Sequence, residues 1–251
     1  MMGRAGSDTA GPRQIFGVGG HFFVEPWEPP LLQQYLLGLA GVPEPRVCFV
    51  GTAGGDNPAD VEQFYRQMQR WPCRLTHLNL FAPHTARFTE WFLEHDIIYV
   101  GGGATRNLMA LWRNWGIVES LRHAWEAGVV LSGTSAGCIC WFEGCITDSL
   151  PEQLLPLECT GFLKGSACSH YDARPDRPRE FRRYLLEGRI PSPGFGAEDH
   201  TGLHFIDTKL HAVVSAVPGK QVYRLEARAG EIIETPLAVR SLAAPAAAVS
   251  R

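Results

Sequence analysis

Short apolar runs ending in glycine alternate with longer segments of helical periodicity from Gln14 to Gly137. Residues 14–20, 46–55, 73–81, 96–103 and 129–137 read as strands. Residues 29–41, 57–71, 85–95 and 106–128 read as helices, with Asn57 or Asp60 as the cap of the second. Strand, helix and strand in repeated succession imply a parallel sheet, because each crossover returns the chain to the same end of the sheet. The runs at 96–100 and 128–132 carry few charges and so fit strands covered on both faces. Beyond Gly144 the pattern loosens. Residues 163–172 read as a strand entering a loop, 176–188 as a helix, and 201–207, 210–217, 221–227 and 231–237 as a closing antiparallel set. With 251 residues and 45% hydrophobic content the chain can fill one large core. The expectation is a single α/β domain over 14–240, with flexible tails at 1–13 and 241–251.

The formal net charge of −3 gives no electrostatic reason for nucleic acid or an anionic membrane to bind, so a small-molecule or peptide partner fits better. No apolar run reaches the roughly 20 residues that span a bilayer. The first residues lack the apolar stretch of a signal peptide, and a cytoplasmic protein is expected. The seven cysteines are odd in number and show no paired CxxC spacing, which argues against a disulfide framework or a structural zinc site. Burial as small hydrophobes suits them, with a reactive thiol at Cys138 or Cys140 as the sharper alternative.

Three strands end in glycine-rich turns, at Gly17–His21, Gly51–Asp56 and Gly101–Thr105, and in an open parallel sheet such turns share the carboxyl edge where ligands bind. None has the GxGxxG or GxxxxGK[ST] spacing of a nucleotide site, so no cofactor is expected. Gly133–Gly137, GTSAG, fits the GxSxG turn that projects a strained serine above a sheet, with the apolar residues from Cys138 to Phe142 expected to continue into a helix. A nucleophilic Ser135 needs a base, a residue to orient it and oxyanion donors. His170 lies at a strand end before an Arg- and Pro-rich loop. Glu198 and Asp199 are adjacent acids that point to opposite faces of an extended segment, so only one can serve. The amide of Ala136 and the backbone of the glycine turn, Gly102 and Gly103, suit the oxyanion. His200, His204 and Asp199 match no familiar zinc spacing, and no metal is expected.

Residues 99–112, 132–142, 147–149, 169–172 and 196–205 (YVGGGATRNLMALW, SGTSAGCICWF, TDS, SHYD and GAEDHTGLHF) together resemble the peptidase E family of serine exopeptidases, family S51, which includes the cyanophycinases. The resemblance runs from about Ile15 to about Glu234. It implies a flavodoxin-like three-layer sandwich with a mostly parallel sheet, akin to class I glutamine amidotransferases. It implies Ser135 as nucleophile, His170 as base and a carboxylate of residues 197–201 as third member; aligned by its apolar ends, that segment places the acid on Asp199, with Glu198 as the alternative. The family usually has Asn where this chain has Ala104, which removes a side-chain contact but keeps the amides. Asp148 matches a family position and would shape the substrate pocket or brace a loop. Peptidase E proper prefers an amino-terminal aspartate, which calls for a cation; Arg179 and Arg182 are the candidates.

Two rivals stand beside a dipeptidase of short peptides. One is a cyanophycinase-like hydrolase of β-aspartyl-arginine polymer, against which the chain is short and lacks an obvious segment to grip a polymer. The other is a non-catalytic binding protein on an amidotransferase-like scaffold. A homodimer is left open.

Overall fold

The computed structural model describes residues 11–24, 28 and 30–243, so most of both expected tails lies outside the described residues. The chain forms β1 (Gln14–Val18), α1 (Leu31–Leu39), β2 (Arg46–Val50), α2 (Pro58–Met68), β3 (Arg74–Leu78), α3 (Phe88–Leu93) and β4 (Ile97–Val100). Then follow α4 (Thr105–Asn114), α5 (Ile117–Glu126), β5 (Val130–Thr134), α6 (Ala136–Ile139), β6 (Phe142–Leu150), β7 (Gln153–Glu158) and β8 (Leu163–Cys168). The last third holds α7 (Asp176–Leu186), β9 (Gly194–Ala197), β10 (Thr201–Ile206), β11 (Lys209–Ser215), β12 (Val222–Arg228), β13 (Glu231–Pro236) and β14 (Arg240–Ser241).

The alternation of the first half builds one sheet in the order β3-β2-β4-β5-β1-β10-β11-β14. Its first five strands are parallel, as the crossovers require. Strand β10 then runs antiparallel to β1, and β11 antiparallel to β10. One face packs Leu32 and Leu36 of α1 and Phe64 and Met68 of α2 against Phe16, Phe49 and Tyr99. The other packs Trp112 of α4 and Leu121 and Trp125 of α5 against Ile98, Val100 and Leu131, giving the three-layer α/β sandwich. Asn57 caps α2 by accepting from the Ala59 amide at 3.0 Å, with Pro58 in the first turn.

Three expectations change. The helical stretch 106–128 is two helices, broken after Trp115 by Gly116 at φ 67°. The four closing strands do not form one set. Strands β10 and β11 extend the main sheet, whereas β12 and β13 join a second sheet ordered β13-β12-β9-β8-β6-β7, in which β6, β8 and β9 are parallel. Antiparallel hairpin patterns carry no record of which sheet receives them. The helix after Ser135 stops at Ile139 and the chain becomes β6, because a short run buried on every side serves a helix or a strand equally well.

Candidate active site

Four strand ends meet at one level of the main sheet: Val50 pairs with Val100, Val100 with Gly133, and Thr134 with Val18. The three glycine turns and Ser135 therefore share the carboxyl edge. Strand β10 runs the other way, so its beginning, with Asp199 and His200 just before it, falls at this edge too. The end of β1 ties the pieces together through its backbone. The Ser135 amide donates to Val18 O at 3.1 Å, the His170 amide to Gly19 O at 3.1 Å and the His200 amide to Gly20 O at 3.1 Å, while the Gly19 amide donates to Thr201 O at 2.9 Å.

Ser135 sits at φ 56°, ψ −113°, outside the ordinary left-handed helical well. Such a conformation costs on the order of 1–3 kcal/mol in a non-glycine residue and persists only where its surroundings enforce it. Here Gly133 and Gly137 allow that: a Cβ on either would collide with the Val100 carbonyl, so the turn presses directly on β4. A Cβ on Gly102 would lie 3.2 Å from Ser135 Cβ, which brings the GGG turn against the serine. Gly103 has φ 134° and backs onto the Ala53 carbonyl, leaving no room for a side chain. The Ala136 amide opens α6, where helix geometry supplies no intrahelical partner.

His170, also at positive φ (51°), donates from Nδ1 to Asp199 Oδ1 at 2.6 Å. Gly20 makes the space for this pair, since a Cβ there would overlap Asp199 Oδ1 and stand 2.5 Å from His170 Cε1. The other carboxylate oxygen lies 3.2 Å from His21 Nδ1, and His21 stacks on His200 with centroids 5.0 Å apart. The Asp199 amide donates to Asp172 Oδ1 at 2.9 Å, and Asp172 in turn pairs with Lys220. Burial alone would raise the Asp199 carboxyl; the hydrogen bond and charge of His170, helped by His21 and His200, outweigh it and hold the group below its usual range. Burial, reinforced by the charge of His21, pushes His200 down. Glu198 turns away from His170 and accepts the Gln221 amide at 3.0 Å.

The remaining predicted residues lie around this centre rather than in it. Asp148 pairs with Arg177, whose buried guanidinium also donates to Ser169 O at 3.2 Å, so the ion pair braces the turn that carries His170. Arg182 donates to Glu234 Oε2 at 2.6 Å, and Tyr171 donates to the other oxygen of the same carboxylate at 3.0 Å. Arg179 is exposed beside Glu180. His204 takes its contacts from Tyr35, 2.9 Å away, and Gln14, 3.1 Å away, not from Asp199. Cys138 and Cys140 are buried; burial pushes the Cys138 thiol up to about 12, with the nearby Cys168 adding to the shift. Sequence reasoning assigned no site role of their own to His21, Gly20, Asp172 and Asp60. Only the first two had a signal, as the end of the first glycine turn.

Beside Ser135 lies a cavity of about 220 Å³ lined by Gly101, Gly102 and Thr134 from the strand ends, Phe23, Phe49 and Tyr99 from the core, Gly51, and Asp60 and Gln63 of α2. The Tyr99 hydroxyl and Thr134 Oγ1 are buried without a hydrogen-bond partner among the described residues.

A flavodoxin-like α/β sandwich with a strained serine at its carboxyl edge, anchored on the same strand end as a His–Asp pair, has the layout of a class of hydrolytic enzymes. The sequence matches the profile of Peptidase family S51 over residues 18–213. It is 41% identical over 230 residues to the uncharacterized peptidase YgaJ of Bacillus subtilis (strain 168), covering 92% of this chain and 99% of that one. The chain belongs to peptidase family S51 and is a peptidase. The fold is similar to that of a peptidase from an acI-B1 Actinobacterium (TM-score 0.69, 19% identity, 92% of this chain and 96% of that one). It is also similar to a putative peptidase E of Listeria monocytogenes EGD-e (TM-score 0.55, 14% identity, 90% and 100%). No helix among the described residues is long and apolar enough to cross a membrane.

Proposed function

We propose that this peptidase is a serine exopeptidase of short peptides that works through an acyl-enzyme. Ser135 is the nucleophile, His170 the general base and Asp199 the residue that orients it. The amides of Gly102, Gly103 and Ala136 hold the oxyanion. The observation that carries the reading is the shared anchoring of Ser135, His170 and the Asp199 segment on the end of β1, which fixes three distant parts of the chain relative to one another.

The chemistry follows from the roles. His170 accepts the Ser135 hydroxyl proton as Oγ attacks the scissile carbonyl, and the Asp199 carboxylate stabilises the imidazolium that forms. The carbonyl oxygen, now negative, is held by backbone amides that need no reorganisation. His170 then gives the proton to the leaving amine as the C–N bond breaks. Water, deprotonated by His170, attacks the acyl ester and returns Ser135.

Under this reading Asp148 acts through Arg177 as a brace, and Arg182 positions the His170 turn through Glu234 and Tyr171. Both candidate arginines are engaged by carboxylates, which leaves the choice of substrate side chain to the cavity beside Ser135. The test is hydrolysis of a dipeptide panel by the parent and by Ser135→Ala. The variant is expected to lose at least about 10³-fold in kcat while keeping its circular dichroism spectrum. A fluorophosphonate should label the parent at Ser135. Full activity in the variant would end the proposal.

A further inference from the structure

We infer that the cavity beside Ser135 binds a basic side chain, lysine or arginine, on the acyl side of the scissile bond, with Asp60 as its counter-charge. The inference rests on the serine-peptidase reading above. Sheet order identifies the side. Ser135 ends β5; β1, with Gly19 and Gly20 holding His170 and Asp199, lies to one side, and β4 and β2, with the GGG turn and the cavity, lie to the other. The leaving amine must depart toward His170, which protonates it. The acyl residue, whose oxygen points at the GGG turn, is left with the cavity.

The lining determines what that residue can be. Asp60 and Gln63 stand one helical turn apart on α2 and both line the space. Among the described residues Asp60 has no ion-pair partner, and no Lys, Arg or His lines the cavity. Gly54 lets the carboxylate lie against the loop backbone, since a Cβ there would collide with Asp60 Oδ2. Phe23, Phe49 and Tyr99 supply ring faces and edges for an alkyl stem ending in a cation. An aspartate side chain would bring a second carboxylate beside Asp60 with no cation between them. A methionine would strip water from Asp60 and return nothing.

Lys-Leu, Arg-Leu, Met-Leu and Asp-Leu dipeptides separate these cases. In the parent, kcat/KM for Lys-Leu and Arg-Leu is expected to exceed that for Met-Leu by at least about 10-fold, the scale on which a charge-assisted contact discriminates. In Asp60→Asn the Lys-to-Met ratio should fall about 10-fold or more. Asp60 also stands in the first turn of α2, and the conservative amide keeps that turn; a ratio measured within one variant is insensitive to loss of folded protein. Diphenyl phosphonates of Lys, Met and Asp provide a readout without turnover, the rate at which each modifies Ser135. Fastest modification by the Lys probe, slowed in Asp60→Asn, supports the inference. Modification of Ser135 with Asp or Met favoured over Lys, or a Lys-to-Met ratio untouched by Asp60→Asn, overturns it and leaves the serine mechanism standing. No modification of Ser135 by any probe removes both.

Discussion

Ser135 and His170 both hold positive φ, and neither is a glycine. Each is stabilised by an amide hydrogen bond to successive carbonyls of the β1 end, so the backbone of Val18 and Gly19 balances the strain of both proposed catalytic residues at once. The Ser135 turn was legible in the chain because GxSxG states its own backbone requirement. The spacing alone left two acids open, and the family resemblance favoured Asp199. Glu198 and Asp199 differ by one position and one methylene, and only the folded protein shows Asp199 at 2.6 Å from His170 and Glu198 on the Gln221 amide. Two substitutions separate them. Asp199→Asn is expected to lower kcat by about 10³- to 10⁴-fold with the fold retained, the scale seen when a neutral amide leaves a catalytic histidine in the wrong tautomer. Glu198→Gln should change kcat less than about 3-fold, since the amide oxygen still accepts from the Gln221 amide and at most weakens a structural hydrogen bond worth about 1 kcal/mol. Steady-state kinetics with one dipeptide decide both; a larger loss at Glu198 would reverse the assignment.

Among the elements, β5 and the four-residue α6 behave as one unit with β4. Gly137 packs on the Val100 carbonyl, and so does Gly133 from the other side of the serine. Gly137→Ala therefore forces a methyl into backbone that cannot yield, and is expected to cost about 3 kcal/mol together with most of the activity. Urea unfolding followed by fluorescence measures the first, and a midpoint within error of the parent would show that the turn has slack. The parallel strands were readable because a buried parallel strand is apolar along its whole length and ends in a turn. The residues from Cys138 to Phe142 read as a helix, whereas the helix stops at Ile139 and β6 starts at Phe142, since an apolar run this short has no period to distinguish helix from strand.

Across the whole molecule, β10 links the active edge to the opposite end of the sheet. There His204 is buried between Tyr35 and Gln14, and burial, with the charges of His211 and Arg240, lowers it from 6.5 to about 4. A histidine with a depressed folded pKa stays neutral in the native state while the unfolded chain takes up a proton. Its contribution is thus complete above pH 6.5 and is lost as the pH falls toward 4. Between pH 6.5 and 5 the protein is expected to lose about 2 kcal/mol from this group, and His204→Gln should flatten that slope. Asp199 acts in the same direction lower down, because a depressed carboxyl stabilises above its usual value of 3.8 and loses that contribution as the pH drops through its folded pKa. Urea titrations at pH 7, 6 and 5 on parent and variant measure the histidine effect, and parallel slopes would show that His204 is not its source.

The sequence by itself determined the alternation, the parallel sheet, the strained serine and the family, because periodicity and glycine placement are local properties that each segment carries alone. Tertiary structure alone decided that Asp199 and not Glu198 faces His170, that β12 and β13 leave for a second sheet, and that Asp60 reaches the space beside Ser135. Each of these depends on contacts between segments distant in the chain. Their geometry is set by how the whole core packs, and no single segment holds that information.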